Sequence, residues 1–130
     1  MYSNPKLLTS LLCCFSLLAC RKNTTNIALS ELSGTWIRNE AGSANYSGMK
    51  LILRSDFAMV DSGTLGSFQI GDRKWRNISP DRDSFFAYEE LGSDGLYYTA
   101  KFRVRFDSIL RIFPVVLFEG DGRLQIWEKQ

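Results

Sequence analysis

Carboxylates are the side chains of this sequence that could carry out acid–base chemistry. The 130 residues include no histidine, the commonest general acid, general base and metal ligand of proteins. Close acidic pairs occur at Asp81 with Asp83 and at Glu119 with Asp121, and such pairs can hydrolyse a glycoside or bind calcium. Both pairs lie in turn-like stretches, where Asp is favoured because it bonds its own backbone. We therefore predict turns there, no metal site, no cofactor and a protein that is not an enzyme.

Two adjacent carboxylates, Glu89 and Glu90, lie inside a predicted strand. Successive side chains of a strand point to opposite faces of the sheet. We therefore expect these two groups on opposite faces, where they cannot share a catalytic role.

Thiol chemistry and nucleic-acid binding are also disfavoured. The three cysteines, Cys13, Cys14 and Cys20, all lie within the first twenty residues, so a domain that starts later has no internal disulfide. With 16 basic and 14 acidic side chains the formal net charge is +2. Nucleic-acid binding normally depends on a much stronger positive charge, and we predict no nucleic-acid partner.

Aromatic side chains form a second group that could build a site. The chain has nine Phe, five Tyr and three Trp, and such rings can stack on lipids or sugars as well as fill a core. Phe85 and Phe86 are neighbours, so one of them is expected to face away from the core. Together with Tyr98 and Phe102 they are the candidate ligand-binding residues, with core packing as the alternative interpretation.

A basic stripe is the strongest electrostatic feature. Lys101, Arg103 and Arg105 alternate with apolar residues and therefore share one face of a predicted strand. This face could bind an anionic partner such as a phosphorylated glycolipid or the membrane surface. Alternatively it is the solvated face of an antiparallel strand, whose long side chains cover apolar surface.

The elements that must position these side chains are short β-strands. The clearest is "LYYTAKFRVRF", residues 96–106, in which apolar residues from Leu96 to Phe106 occupy every second position and are expected on a buried face. Such alternation indicates an antiparallel sheet with one solvated face. The other predicted strands are 35–39, 49–54, 57–60, 66–70, 74–78, 85–91, 109–113, 115–119 and 123–129.

Tight connections join these strands. Stretches such as "RSD", "GDR", "GSDG" and "EGDG" have hairpin length and contain residues that tolerate positive φ. Pro114 is expected to end a strand or lie at a sheet edge. We predict an all-β domain, an antiparallel meander closing into a small barrel, with a β-sandwich as the alternative.

The first twenty residues read as a secretory leader. Residues 7–19 are uncharged but too short to span a bilayer, which takes about 20 apolar residues, and Lys6 precedes them as in a signal peptide. Their end, Leu17-Leu18-Ala19-Cys20, resembles the lipobox of bacterial lipoproteins. The resemblance implies cleavage before Cys20, acyl chains (palmitate) on Cys20 and, because Arg21 rather than Asp follows, an outer-membrane location. An ordinary signal peptide and a buried N-terminal helix are the alternatives.

The chain therefore divides into three predicted parts. Residues 1–19 form a cleaved signal-peptide helix. Residues 20–31 comprise the lipidated cysteine and a polar, flexible tether. Residues 32–130 form the β domain.

The start of that domain, "LSGTW", carries a second resemblance. Gly34-x-Trp36 is similar to the Gly-x-Trp signature that opens lipocalins and the shorter bacterial lipocalin-like lipoproteins. In that family the Gly permits a tight turn and the Trp closes the barrel base, packing on a basic side chain near the last strand. Gly34 and Trp36 match these positions, and Arg123 is the candidate basic partner by position. In so short a domain, the barrel is expected to be filled by side chains or to hold one small ligand.

Two functions fit these patterns. The first is a lipid-anchored envelope protein of the lipocalin-like class that binds a small apolar or amphipathic ligand without catalysis. The second is a filled barrel acting as a structural or interaction subunit of an envelope protein complex. A cavity lined by Phe85 or Phe86 would favour the first, and an exposed apolar patch would favour the second.

Overall fold

A computed structural model of the chain describes residues 26–39, 46–116 and 125–130. The predicted signal peptide, Cys20 and residues 21–25 lie outside these ranges. Within them, no helix is long and apolar enough to cross a membrane. The described elements are a 3₁₀ helix (Leu29–Leu32) and the strands β1 (Gly34–Arg38), β2 (Lys50–Arg54), β3 (Phe57–Ser62), β4 (Arg73–Arg82), β5 (Phe85–Leu91), β6 (Tyr97–Phe106), β7 (Leu110–Val116) and β8 (Trp127–Lys129).

The strands form a closed antiparallel barrel. Each strand pairs with the next in the chain, and β8 pairs with β1, where Trp36 lies opposite Lys129. Closure removes free sheet edges, and alternate residues of each strand face the interior. The predicted all-β meander barrel is confirmed, and the sandwich alternative is wrong.

The predicted strand 66–70 is wrong. These residues belong to the connection between β3 and β4, where Gly66 and Gly71 have φ of +57° and +92°. These left-handed residues, which glycine adopts without strain, turn the chain at the start of this stretch and just after its end. The connection still contributes one side chain to the core, because Phe68 is buried there.

The two predicted strands 109–113 and 115–119 are wrong as separate elements, because β7 runs without a break from Leu110 to Val116. Pro114 lies opposite Phe102, next to an irregularity in the β6–β7 register. Within the described residues β8 pairs only with Arg111 and Ile112 of β7. Pro114 therefore lies beyond that pairing, where a missing N–H removes no ladder bond to β8.

The ends of the barrel differ. We call the end where β1, β3, β5 and β7 begin the base, and the opposite end the mouth. Residues 26–32, here called the base segment, run from the β4–β5 turn to the start of β1; Asn26 and Ile27 lie near Arg82–Phe86. Leu32 is fully buried, and Ile27 packs against the core. Residues 26–31, predicted as tether, thus cover the base.

Hydrogen bonds fasten the base segment to the first and last strands. The Trp36 Nε1 donates to the Leu32 carbonyl at 2.8 Å in a buried position, and the Lys129 Nζ donates to the Glu31 carbonyl at 2.8 Å. Gly34 has φ of +134°, and a Cβ there would lie 3.1 Å from Lys129 Cε. Gly34 is therefore the position where the chain turns tightly into β1 beneath the Lys129 side chain.

Trp36→Phe tests this attachment. The phenylalanine ring fills most of the same space but cannot donate to the Leu32 carbonyl, so the acceptor stays buried and unpaired. We expect the free energy of unfolding to fall by about 1–3 kcal/mol, measured by urea denaturation. Tyr97→Phe removes an exposed hydrogen bond to the Arg73 carbonyl and serves as control. An equal loss in both variants would contradict a buried anchoring bond.

Rings fill the interior. The largest fully buried side chains include Trp36, Trp75, Trp127, Tyr88, Phe86 and Phe102. The ends of the β6 row differ from expectation: Leu96 and Phe106 were predicted on the buried face but are 61% and 69% exposed. The apolar row is longer than the barrel wall, so its ends overhang the mouth and the base.

Candidate functional site

The predicted ligand-binding residues do not lie together. Phe86 and Phe102 stack on each other in the core, with ring centroids 5.3 Å apart. Phe85 is on the outer face, half-buried, and its ring centroid is 5.8 Å from the Arg103 guanidinium carbon. Tyr98 lies near the mouth, where its hydroxyl donates to Asp94. The four residues thus occupy the core, the wall and the mouth.

A shallow cavity does adjoin two of them. It lies at the base beside the β4–β5 turn, has a volume of about 170 Å³, and is lined in part by Phe85, Phe86 and Ile27. Ligand pockets for drug-sized molecules are typically about 300–1,000 Å³. This depression is therefore too small to hold such a ligand.

Trp75 occupies the middle of the barrel. Its ring centroid lies 5.3 Å from that of Tyr88, 5.6 Å from that of Phe102 and 5.2 Å from that of Trp127. The contacts to Tyr88 and Trp127 are edge-to-face, the arrangement that aromatic quadrupoles favour. This aromatic network joins β4, β5, β6 and β8 through side chains and fills the space between them.

Among the residues that the structure describes, four polar side chains are buried toward the mouth. They are Arg38 at the end of β1, Lys74 near the start of β4, Glu90 near the end of β5 and Gln125 just before β8. We call them the mouth cluster. Charged side chains are rarely fully buried unless they are paired, so their placement is the least expected feature of the interior.

A β-bulge brings Lys74 inside. Trp75 lies opposite Ala58 and Arg73 lies opposite Met59, so Lys74 has no partner on β3. An extra residue of this kind breaks strict alternation, and consecutive residues Lys74 and Trp75 are both buried. The Lys74 Nζ then donates to Glu90 Oε1 at 3.1 Å and to the Leu91 carbonyl at 2.8 Å.

Aromatic rings cover both cations of the cluster. The Lys74 Nζ lies 4.2 Å from the Phe68 ring centroid. The Arg38 guanidinium carbon lies 5.1 Å from the centroid of Tyr46 and 5.9 Å from that of Trp127. Cation–π contacts of this kind are strongest where water is excluded. They let two cations remain in the interior.

Glu90 of the cluster and Trp75 beside it each have a buried side-chain atom that makes no hydrogen bond within the described residues. These atoms are Glu90 Oε2, an acceptor, and Trp75 Nε1, a donor. Trp75 and Glu90 face each other across β4 and β5. A hydroxyl group can donate to a carboxylate and accept from an indole. Each of these two atoms could therefore be satisfied by a hydroxyl group.

Sequence reasoning found this carboxylate but not its setting. The expectation that Glu89 and Glu90 point to opposite faces is confirmed: Glu90 is fully buried, and Glu89 pairs with Arg76 on the wall at 2.8 Å. The hydrogen bond from Arg76, followed by that from Asn77, holds the pKa of Glu89 below its usual value. The sequence did contain a signal for this buried charge: Glu90 follows Phe86 and Tyr88 at every second position of β5, and therefore shares their buried face.

The basic stripe lies on the outer wall, and its three members have different surroundings. The Lys101 Nζ pairs with Asp81 at 3.0 Å. The guanidinium carbons of Arg103 and Arg105 lie 5.8 Å from the Phe85 centroid and 5.6 Å from the Phe113 centroid. Within the described residues no carboxylate pairs with either arginine. The stripe remains a candidate anion-binding surface.

The remaining predicted positions are partly described. Gly34 and Trp36 lie at the base, Arg123 is outside the described residues, and Lys129 is the basic side chain that reaches the start of β1. Asp83 is in the predicted turn, whereas the turn predicted at Asp81 is wrong, because Asp81 lies within β4, one residue before its end. Glu119 and Asp121 are not described. Among the described residues no group of three or more His, Cys, Asp or Glu could hold a metal ion.

Asp94→Asn is expected to lower the pKa of Tyr98. The hydrogen bond to Asp94 raises the Tyr98 pKa above its usual value and lowers that of Asp94. Since both shifts belong to the folded state, the pair stabilises the fold between the ordinary aspartate and tyrosine pKa values; the contribution is lost as pH rises through the raised Tyr98 pKa and as it falls through the lowered Asp94 pKa. Ultraviolet titration of the tyrosines measures the change. Tyr98→Phe should remove the high-pH step, and an unchanged titration curve in Asp94→Asn would contradict the assignment.

Three features of the described molecule now stand together: a filled aromatic interior, a buried mouth cluster and a basic wall. Comparison with protein-family models, with curated proteins and with solved structures finds no match to this chain.

Proposed function

We propose that this chain is a non-enzymatic interaction protein of the bacterial cell envelope, anchored through lipid on Cys20. Its filled barrel serves as a rigid scaffold that binds another envelope protein. The aromatic network around Trp75 carries this proposal, because it occupies the interior that a carrier would keep for its ligand. The base depression of about 170 Å³ offers no substitute.

The mouth end supplies a surface for the partner. Ile70 in the β3–β4 connection is 70% exposed, Leu96 in the β5–β6 turn is 61% exposed, and Val115 near the end of β7 is 48% exposed. Exposed apolar surface is what a protein partner would bury, and three of the four large exposed apolar side chains of the described residues lie at this end. All three lie toward the mouth, and we assign the partner to this end.

Site-specific photo-crosslinking in the native host tests the partner. We expect a crosslinker at Leu96 or at Ile70 to join the chain to one defined protein. A crosslinker at Thr99, exposed on the β6 wall, is the matched control and should give none. Leu96→Asp should abolish the Ile70 crosslink. Equal products from all positions, or none from any, would contradict the assignment.

Cys20→Ala tests the anchor. Lipoprotein processing needs the acylated thiol, so this variant is expected to accumulate as a precursor that retains residues 1–19 and incorporates no labelled fatty acid. Intact mass and membrane fractionation give the result. Cys14→Ala, in the same leader, is the control and should be processed normally. Normal cleavage of Cys20→Ala would contradict a lipoprotein.

A second candidate function is binding of a small amphipathic ligand at the mouth. The two buried atoms Glu90 Oε2 and Trp75 Nε1 favour it, because a ligand that donates to the carboxylate or accepts from the indole would pair a buried polar atom that has no partner among the described residues. Native mass spectrometry of protein purified from its host separates the two candidates. A stoichiometric small molecule that Glu90→Leu no longer retains would support the ligand. A chain that carries only the Cys20 lipid would support the filled scaffold.

A further inference from the structure

The base end of β6 carries an exposed aromatic and an exposed cation on opposite faces of the strand. Phe106, the last residue of β6, is 69% exposed, and Arg105 beside it is also exposed. Val104, two residues earlier in the same row, is buried. Phe106 therefore lies past the edge of the core, at the rim of the base, and not on the side wall.

The charges on this side of β6 are unevenly compensated. Arg111 pairs with Asp107 and Glu128, and Lys101 pairs with Asp81. Arg105 lies opposite Arg111 in the ladder, its guanidinium carbon is 5.6 Å from the Phe113 ring centroid, and within residues 26–39, 46–116 and 125–130 no carboxylate forms an ion pair with it. The base end of β6 therefore combines an aromatic ring at the rim with a guanidinium on the adjoining outer wall that has no carboxylate partner among the described residues.

The chain places the anchor at the same end. The base segment starts at Asn26 beside the β4–β5 turn, and only residues 21–25 separate it from Cys20. Six residue steps of fully extended chain span roughly 20 Å, at about 3.3–3.6 Å each. A lipid on Cys20 would therefore hold the base, and not the mouth, next to the bilayer.

We propose that the base docks on an anionic bilayer, with Phe106 among the lipid headgroups and Arg105 bound to lipid phosphate. The inference rests on the proposed lipid anchor at Cys20. Aromatic side chains favour the headgroup level of membranes, and basic side chains are attracted to anionic lipid. In this orientation Ile70 and Leu96 at the mouth face away from the membrane, where a protein partner can reach them.

Tryptophan quenching in vesicles tests the docking. The full chain, lipidated in a bacterial host and reconstituted into phosphatidylethanolamine–phosphatidylglycerol vesicles with brominated acyl chains, is compared as Phe106→Trp and Leu96→Trp. Both sites are exposed, Phe106 at the base end of β6 and Leu96 in the turn that precedes β6 at the mouth, so neither change should unfold the barrel. The three native tryptophans are fully buried and give the same background in both variants.

We expect the bromolipid to quench the added tryptophan in Phe106→Trp and to leave Leu96→Trp unchanged. Adding Arg105→Gln to Phe106→Trp should reduce the quenching, and so should replacing phosphatidylglycerol by phosphatidylcholine. Equal quenching of both tryptophans, or none, in protein whose intact mass includes the lipid would overturn the docking alone. A mature mass without lipid would overturn the anchor and, with it, the docking.

Discussion

Lys74→Met is expected to lower the free energy of unfolding by about 3–5 kcal/mol, because it leaves the Glu90 carboxylate buried without its cation. The two side chains are 5% and 0% exposed, and the ammonium makes its ion pair at 3.1 Å and donates a further hydrogen bond to the Leu91 carbonyl. The methionine side chain is about as long and as apolar as the aliphatic part of lysine. The decrease in the free energy of unfolding therefore reports the removal of the charge and not a change in side-chain volume. Urea denaturation monitored by tryptophan fluorescence gives the value.

The double variant Lys74→Met/Glu90→Leu isolates the pair. Removing both charges also removes both desolvation penalties, so we expect it to unfold near the wild-type free energy or up to about 1–4 kcal/mol above it. Arg76→Met breaks the 2.8 Å pair with Glu89 on the wall, where the side chains are 42% and 35% exposed. That control should cost about 1 kcal/mol or less. If the double variant were as unstable as Lys74→Met, the loss in Lys74→Met could not be attributed to the unpaired Glu90 carboxylate, and this interpretation of the pair would be wrong.

The double variant also addresses why the pair exists. An apolar replacement that is at least as stable would mean that folding alone does not require the buried charges. Loss of the Leu96 crosslink in that stable variant would then assign the mouth cluster to recognition. An unchanged crosslink would assign it to the shape of the β3–β4 connection, which Phe68 attaches to Lys74 at 4.2 Å.

The barrel could be predicted because its strongest signals are local. The alternation around Ala100, Phe102 and Val104 gives β6 and its buried face directly, and short turns between strands give the antiparallel order. The same parity places Glu90 inside and Glu89 outside. The prediction that the barrel closes rested on the number of short strands, and no single residue indicated that β1 pairs with β8.

The site could not be predicted to the same extent, because irregularities determine it. Lys74 is inside only because β4 gains one residue against β3, and a bulge leaves no mark in a pattern of alternating residues. Phe68 contributes to the core from a connection rather than a strand. Leu96 and Phe106 fit the pattern but overhang the barrel, because alternation gives the face of a residue and not its height along the barrel wall.

Trp75→Ala is expected to lower the free energy of unfolding by about 3–5 kcal/mol, because it removes the central ring of the aromatic network and leaves a cavity. Trp75 is fully buried and contacts the rings of Tyr88, Phe102 and Trp127. Phe106→Ala removes an aromatic ring that is 69% exposed and is the control, expected to change the value by no more than about 0.5 kcal/mol. Similar losses in the two variants would contradict a filled interior.

The cavity left by Trp75→Ala also distinguishes a scaffold from a carrier. An apolar cavity enclosed by a rigid wall binds small apolar molecules, and a ligand that binds only the folded state raises the unfolding temperature. We expect indole to raise the unfolding temperature of Trp75→Ala and to leave the wild type unchanged, because Trp75 already occupies that space. Equal stabilisation of the wild type would mean that its interior accepts an apolar molecule beside Trp75, and that the barrel carries a ligand.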